Sequence, residues 1–430
     1  MTIVYLKIAL AAALTIVALG VVGQVNRAII CRKVDAVAPV VVGGAIRIFL
    51  FVLIFILLKI HVPSDVPSYY YPQAQSALNG GVWNADFVSS YSPLFPYFGA
   101  ALLCIWNDPR VFVLFALVID CVGLWFWHSL LRKTNSREHA LDVSMCYALS
   151  APVIVNELVG QQQGWIGAGL AASMWLLFVN DSPAKSAIVQ GATLCVTKIL
   201  ALLFWPVLFA VSRAKLRWFV AAMAPPLLTI AIFSWLGSDL LLGLRSEQQD
   251  YTSGNLIYYI DYLVRGGKNY FVLYDSITVL CLLGASFFVF IRLRRKQHAD
   301  IGAVLSGVSL QMVTLLLLSK KSYAEYIGLA YFAVLFVLYK NLSRFWYWCA
   351  FSLFSIAATV SPTIWFATRG NNKSLQDWLY QLGWSAALPT VVVDWTLIVL
   401  YAVTAYLCVK VMVGRITHRY RVSHQLPASR

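Results

Sequence analysis

Asp65 and the tyrosines that follow it are the residues of this chain whose types and spacing best fit chemistry. Asp65 lies a few residues beyond an apolar run long enough to span a bilayer, and Tyr69, Tyr70 and Tyr71 come next. A carboxylate at a membrane surface can act as a general base on a sugar hydroxyl, and tyrosine rings can stack against the sugar. The alternative is turn chemistry, because a Ser-Asp pair shortly before a proline is common in turns.

The composition indicates which elements must position these residues. Hydrophobic residues make up 60% of the chain, charged residues 12%, and the mean hydropathy is +0.74. A soluble globular domain has about a quarter charged residues, so the chain is predicted to be a polytopic membrane protein. The lysines and arginines that give the net charge of +15 lie in short loops, a pattern that indicates membrane topology. No nucleic-acid partner is indicated. The eight cysteines form no CxxC pair and no histidine stands at metal-ligand spacing, so no metal site is indicated.

The apolar runs predict an all-α fold of about thirteen transmembrane helices, with a range of eleven to thirteen, in a single transmembrane domain over 1–430. No repeat or linker separates a second domain, and the charge after the first run favours a retained helix over a cleaved signal peptide. The predicted spans are 3–23, 38–60, 92–106, 111–131, 141–158, 165–180, 187–211, 218–236, 271–291, 301–318, 327–340, 345–366 and 388–411.

Basic loops predict the orientation of these helices, because lysine and arginine concentrate on the cytoplasmic side. The loops at 213–217, 292–296 and 340–344 and the basic tail 412–430 are predicted to be cytoplasmic. Alternation then puts on the outer face the loops 61–91, 237–270, 319–326 and 367–387. The basic loop 132–139 is an exception, since alternation puts it outside. Either a neighbouring short segment is re-entrant or the rule is broken there.

Lys320, Lys321 and Asp86 are candidates on the outer face. Adjacent lysines can hold a phosphate leaving group, because their charge stabilises the anion that develops. A solvated pair, or one that faces lipid headgroups, is the alternative. Asp86 is a second carboxylate in the loop 61–91, and it could equally cap the segment that follows it.

Four charged residues fall within apolar runs, where each costs about 2.5–3.5 kcal/mol on insertion scales. They suggest a polar cavity or structural pairing. Asp120 is expected to pair across helices and Asp394 to be structural, whereas Glu157 could serve either purpose. Lys198 is the base among them.

Several motifs follow one another in a characteristic order. Asp65 and the tyrosines are followed by AlaLeuAsnGlyGly at 77–81 and by YSPLFPY, which starts at Tyr91. GQQQG at 160–164, Lys198 before a Trp-Pro helix, and SKKSYAEY at 319–326 come later. This order resembles that of integral-membrane glycosyltransferases of the GT-C fold, and most of all the polyprenol-phosphate-mannose-type enzymes grouped as family 87. The likeness covers most of residues 38–340.

The resemblance implies a GT-C-like fold with short re-entrant or interfacial helices in the outer loops. It implies that a mannose-like hexose moves from a polyprenyl-phosphate donor to a glycan or lipid acceptor at the outer face, with Asp65 as general base. No tightly held nucleotide or other cofactor is implied, and a divalent metal stays open. The substrate-binding residues that it implies are Tyr69, Tyr70, Asp86, Tyr91, Gln161, Gln163, Lys320, Lys321, Tyr323 and Glu325.

Two other functions are weighed against this one. An O-antigen polymerase or ligase would be expected to carry a large outer loop rich in arginine late in the chain, whereas the second outer loop, 237–270, has only Arg245, Arg265 and Lys268 as basic residues. A lipid or sugar transporter should show inverted repeats with broken helices, and none is evident. A bacterial inner membrane is favoured over the endoplasmic reticulum, because no retention signal is present and the outer loops offer one glycosylation sequon, at Asn372.

Overall fold

The computed structural model describes residues 2–31, 35–247, 252–264, 271–294, 300–368 and 375–414, and these ranges are helical with no β-strand. Two π-helical turns, Val52–Leu57 and Val66–Tyr70, and two 3-10 turns, Ile199–Phe204 and Ala324–Leu329, interrupt the α-helices. The α-helices are α1 Thr2–Cys31, α2 Ala38–Phe51, α3 Tyr71–Leu78, α4 Phe95–Ile105, α5 Arg110–Thr134, α6 Arg137–Ala148, α7 Ala151–Leu158, α8 Gln163–Phe178, α9 Pro183–Val196, α10 Trp205–Val211, α11 Lys215–Trp235, α12 Leu242–Glu247, α13 Leu256–Val264, α14 Phe271–Arg294, α15 Ile301–Leu318, α16 Tyr331–Asn341, α17 Arg344–Thr368 and α18 Leu375–Val413.

Seven helices of the described ranges are long and apolar enough to cross a membrane, which is consistent with an integral membrane protein. Length and composition alone do not reach thirteen spans, so that count stays a prediction. The seven are Ala38–Leu57, Arg110–Thr134, Lys215–Trp235, Leu273–Arg294, Ile301–Leu318, Arg344–Trp365 and Leu388–Val413. Shorter apolar helices are Leu6–Gly20, Phe95–Ile105, Ile199–Val211 and Tyr331–Asn341.

Several of the predicted spans differ from the helices that form, and the span 141–158, for example, is divided between α6 and α7. The run 92–106 becomes α4, whose 11 residues extend about 16 Å, roughly half of a bilayer core. The run 187–211 is not one helix, because α9 ends at Val196 and the next helical turn begins at Ile199. Lys198 has extended backbone angles at this break. A residue that the sequence placed inside a span therefore lies between two helices.

The contacts of the basic loop 132–139 show at which end of α2 it lies. Arg132 Nε lies 3.3 Å from Asp35 Oδ2, and Arg137 Nη2 lies 2.6 Å from Asp35 Oδ1. Asp35 precedes α2 and Asp65 follows the π-helical turn that continues α2, so the basic loop lies at the opposite end of this helix from Asp65. The alternation that puts this loop outside counts the run 92–106, which forms only the short α4, as a full crossing.

Glycine residues let helices α5, α8 and α9 pack closely together. A Cβ added to Gly123 of α5 would lie 2.9 Å from Ala168 Cα of α8, and one added to Gly169 of α8 would lie 2.2 Å from Thr193 Oγ1 of α9. Such distances are shorter than real contacts allow, so glycine lets these backbones approach, as is common between membrane helices. Glycine therefore brings α8 into close contact with both α5 and α9.

A buried ion cluster joins α2, α5 and α7. Arg47, which is 0% exposed, donates from Nη2 to Asp120 Oδ2 at 2.8 Å and from Nε to Glu157 Oε2 at 2.8 Å. Tyr147 donates its hydroxyl to Asp120 Oδ1 at 2.6 Å. The expectation that Asp120 pairs across helices is confirmed, and Glu157 belongs to the same structural cluster. Removing one partner from such a cluster leaves a buried charge without compensation.

The described part of the second outer loop packs on the C-terminal helices. Tyr259 donates its hydroxyl to Asp394 Oδ2 at 3.0 Å, and Ser361 donates to Asp394 Oδ1 at 3.0 Å. Asp394 therefore fixes α13 to α17 and α18, which confirms the structural interpretation of this acid. Of the predicted loops and tail, residues 248–251, 265–270, 295–296, 369–374 and 415–430 lie outside the described residues.

Candidate active site

Asp65 lies where α2 and its π-helical extension have ended, immediately before the π-helical turn Val66–Tyr70. Its partly buried carboxylate accepts two hydrogen bonds on one oxygen, Oδ2: from the Tyr91 hydroxyl at 3.0 Å and from Gln161 Nε2 at 3.3 Å. No hydrogen bond from the described residues to Oδ1 is formed. The carboxylate is thus oriented through one oxygen, and the other is the atom that can accept a proton.

The Gly-Gln element holds Asp65 in place. Gly160 has φ of +73°, and a Cβ on it would lie 2.4 Å from Val66 Cγ2, so only glycine fits beside the residue that follows Asp65. This turn directs Gln161, whose Nε2 also donates to Ser64 Oγ at 3.0 Å. Gln161, predicted to bind substrate, is buried and hydrogen-bonded to the predicted base.

Tyr91 connects Asp65 with a lysine that the set of predicted site residues omitted. Lys198 Nζ lies 4.7 Å from the centroid of the Tyr91 ring, within cation–π range. Backbone hydrogen bonds from Ser92 N to Thr197 O at 3.0 Å and from Leu94 N to Cys195 O at 3.1 Å fix the break that carries Lys198 against the loop after Tyr91. Burial lowers the pKa of Lys198, and the negative charges of Asp65 and Glu325 oppose that fall.

Glu325 is the second carboxylate of the site. It belongs to the 3-10 turn Ala324–Leu329, and its backbone carbonyl accepts a hydrogen bond from Asn156 Nδ2 at 2.8 Å. Its pKa is raised to about 7: burial is the largest cause, the positive charge of Lys7 opposes the rise, Asp65 adds to it and Lys198 opposes it. The predicted residues Asp65 and Glu325 are thus brought into one electrostatic cluster.

Aromatic rings form the wall behind the two carboxylates. Tyr70 is fully buried, with its ring centroid 5.0 Å from that of Tyr91 and 4.8 Å from that of Phe95, both in edge-to-face contact. Burial raises the pKa of the Tyr91 phenol well above its ordinary value, so Tyr91 stays protonated and donates to Asp65. Tyr69 is 52% exposed. Of the two tyrosines named as alternatives, Tyr70 is the one at the site.

Asp86 and Gln163 have other surroundings. Asp86 is exposed and accepts a hydrogen bond from its own loop, from the Val82 amide to Oδ2 at 2.7 Å. That contact closes a turn on the residues before Asp86, whereas the alternative considered for Asp86 was capping of the segment that follows it. Gln163 is buried at the start of α8, where its Cβ lies 3.3 Å from the position that a Gly328 Cβ would take. It packs against Gly328, which belongs to the same turn as Glu325.

Lys320 and Lys321, the pair predicted to bind phosphate, make contacts of a different kind. Lys320 Nζ lies 2.7 Å from Asp275 Oδ2 and the side chain is nearly fully buried, while Lys321 is partly buried. The Lys320 carbonyl accepts from the Thr252 amide at 2.8 Å, which ties the second outer loop to this turn. Tyr323 contacts Tyr326 edge to face at 5.5 Å. A carboxylate therefore already compensates the charge of Lys320.

The cluster can carry out acid-base chemistry on an anionic substrate. It combines a carboxylate with one accessible oxygen, a second carboxylate that titrates near neutral pH, and lysines whose charge can hold an anion. The described residues contain no group of three or more His, Cys, Asp or Glu side chains that could hold a metal ion. No protein-family model matches the chain, and no curated protein matches it either.

Proposed function

We propose that this protein is a membrane glycosyltransferase that moves a mannose-like hexose from a polyprenyl-phosphate donor to a lipid- or polysaccharide-linked acceptor. The carrying observation is the Asp65 carboxylate, held through Oδ2 by Tyr91 and Gln161 and placed beside Lys198. A base and a cation at one end of an apolar bundle are what transfer from a lipid phosphate requires.

In the proposed step, the acceptor oxygen bonds to the anomeric carbon of the sugar while the bond from that carbon to the phosphate oxygen breaks. The hydroxyl proton passes to Asp65 Oδ1, and the bonding electron pair leaves with the phosphate oxygen. Tyr91 and Gln161 keep Oδ2 occupied, so that Oδ1 faces the acceptor. Lys198 stabilises the charge that develops on the polyprenyl phosphate.

Lys198 takes the phosphate-binding role for which the sequence suggested Lys320 and Lys321. Lys198 lies within the electrostatic reach of Asp65, and the base and the leaving group must meet on one substrate. Lys320 is compensated by Asp275. The resemblance of the Lys-and-Pro helix to the family 87 pattern supports the same assignment.

The proposed site faces the outside of a bacterial inner membrane, and the C-terminus is cytoplasmic. Arg132, Arg137 and Lys340 lie at helix ends remote from Asp65, which fits the cytoplasmic excess of basic residues. In this topology α4 is re-entrant, and the run 187–211 crosses twice. About thirteen crossings then connect the two faces: α1, α2, α5, α6 with α7, α8, α9, 199–211, α11, α14, α15, α16, α17 and α18.

The test is Asp65→Asn, because the amide keeps the shape of the side chain and removes the base. Purified protein would be assayed with a polyprenyl-phosphate mannose and with membrane glycolipid and polysaccharide extracts as acceptors. Loss of a general base is expected to lower the rate by about 10²–10⁴-fold. Asp181→Asn, an exposed acid at the other end of the bundle, is the matched control. Activity of Asp65→Asn above about a tenth of wild type would remove Asp65 from the role of base.

A further inference from the structure

Gln162, the residue before α8, and Trp165, on the first turn of α8, carry buried polar atoms that no described residue satisfies. Gln162 is 1% exposed, and neither its Nε2 nor its Oε1 forms a hydrogen bond with the described residues. Among the side chains that the structure describes, Gln162 alone has two such atoms. Trp165 is also buried, and its Nε1 has no partner in the described ranges. Buried polar groups are normally paired, so these atoms point to a ligand or to ordered water.

Both side chains lie beside the proposed base. Gln162 directly follows Gln161, whose Nε2 donates to Asp65 Oδ2 at 3.3 Å, and its carbonyl accepts the Trp165 amide at 3.1 Å. Residues three apart on a helix are neighbours on one face, so Gln162 and Trp165 share a face of α8. The Trp165 ring centroid lies 5.9 Å from that of Phe95, which belongs to the aromatic wall behind Asp65. The unpaired atoms are therefore at the Asp65 end of α8.

The three atoms indicate the chemistry of their ligand. Gln162 Nε2 and Trp165 Nε1 can only donate a hydrogen bond, whereas Gln162 Oε1 can only accept one. An ionised phosphate or carboxylate offers acceptors alone and would leave the amide oxygen unpaired. A hydroxyl group both donates and accepts, and two neighbouring hydroxyls of a hexose can pair with both ends of one carboxamide. The set therefore matches a polyhydroxylated ligand.

We propose that Gln162 and Trp165 form the subsite that binds the hydroxyl groups of a hexose. One hydroxyl donates to Gln162 Oε1, its neighbour accepts from Gln162 Nε2, and Trp165 Nε1 donates to a sugar oxygen. The inference rests on the proposed function and names the residues that select the sugar. A sugar that lacks one of these hydroxyls is rejected, because the buried atoms of the subsite would stay unpaired. Both the donor and a glycan acceptor carry hexose hydroxyls, and the experiment distinguishes these two sources.

Steady-state kinetics of Gln162→Met test the proposal, because methionine keeps the length of the side chain and removes both polar atoms. Wild type and variant would be assayed with polyprenyl-phosphate mannose and with a series of donors that each lack one mannose hydroxyl. Wild type is expected to use at least one deoxy donor about 10- to 100-fold less well than the full donor, and Gln162→Met to lose that discrimination. A rise confined to the acceptor KM, measured at saturating donor, would instead assign the same subsite to the acceptor sugar.

Thermal unfolding in detergent, without substrate, separates sugar binding from a structural role. Gln162→Met is expected to be at least as stable as wild type, because it removes buried groups that have no partner in the described ranges. Gln190→Met is the matched control: Gln190 is also 1% exposed, but its Nε2 donates to Ser173 Oγ at 3.0 Å. This control is expected to lose stability and to keep the wild-type KM values. Trp165→Phe, which loses the N–H and keeps a ring, is expected to raise the same KM and serves if Gln162→Met does not fold.

The outcomes separate the inference from the proposed function. Unchanged discrimination and unchanged KM values in Gln162→Met would overturn the inference and leave the proposed function intact. A loss of stability in Gln162→Met with unchanged kinetics would show that ordered water satisfies the amide, which also overturns the inference. Wild type that transfers no hexose from any of the donors would overturn the proposed function, and the inference with it.

Discussion

Lys198→Gln is expected to weaken use of the donor far more than use of the acceptor. The substitution removes a cation that is partly buried near Asp65 and replaces it with an amide of similar length. A hydrogen bond to a charged group contributes about 1.5–3 kcal/mol, which corresponds to about a 10- to 150-fold loss in kcat/KM for the donor. Loss of the 4.7 Å cation–π contact between Lys198 Nζ and the Tyr91 ring adds about 0.5–2 kcal/mol to this loss. Tyr91 in turn orients Asp65.

The comparison with Lys320 makes this prediction specific. The paired variant Lys320→Gln/Lys321→Gln is expected to change the donor KM by less than about threefold, since Lys320 is compensated by Asp275. Initial rates would be measured with the donor varied at saturating acceptor, and then with the acceptor varied at saturating donor. Lys185→Gln, at the far end of the helix that precedes Lys198, is the matched control. A larger effect of the lysine pair than of Lys198→Gln would refute the reassignment of the phosphate site.

Two further predictions concern stability and topology. Arg47→Met is expected to lower the free energy of unfolding by about 3–5 kcal/mol, because it leaves Asp120 and Glu157 buried without a cation. The surface change Arg213→Met, whose partner Asp181 is exposed, should cost less than about 1 kcal/mol. Thermal unfolding in detergent measures both, and equal losses would contradict the buried cluster. Single cysteines would be placed at the exposed positions Ser90 and Thr134, in a background without the eight native cysteines. In intact cells, a membrane-impermeant thiol reagent is expected to label Ser90→Cys and to leave Thr134→Cys unlabelled. Labelling of both would refute the re-entrant assignment of α4.

The sequence predicted the helical class and part of the site for reasons that are local. Composition alone indicates a helical membrane protein. Asp65 and Gln161 could be named because each stands in a short polar stretch between apolar runs. Lys198 was harder to place, since the break at Thr197 contains neither proline nor glycine and the hydropathy of 187–211 is continuous. A lysine in the middle of that long apolar run was the available signal.

Other parts of the site depend on contacts between distant segments. The charge of Lys7 acts on Glu325 only because α1 packs against α7, and nothing near Lys7 in the sequence indicates that influence. The partner of Lys320, Asp275, stands 45 residues earlier in the chain. Such pairings follow from tertiary packing, which a single sequence does not specify.

The buried cluster of Arg47 also has a consequence for how the protein is made. Helices of a membrane protein emerge from the ribosome in order, and Arg47 precedes Asp120 by 73 residues and Glu157 by 110. During that interval of synthesis, α2 carries a guanidinium whose carboxylate partners have not yet been translated. Its insertion alone costs about 2.5–3.5 kcal/mol for that residue. The nascent α2 therefore gains its full membrane stability only when α5 and α7 arrive, which couples the biogenesis of the first half of the bundle into one event.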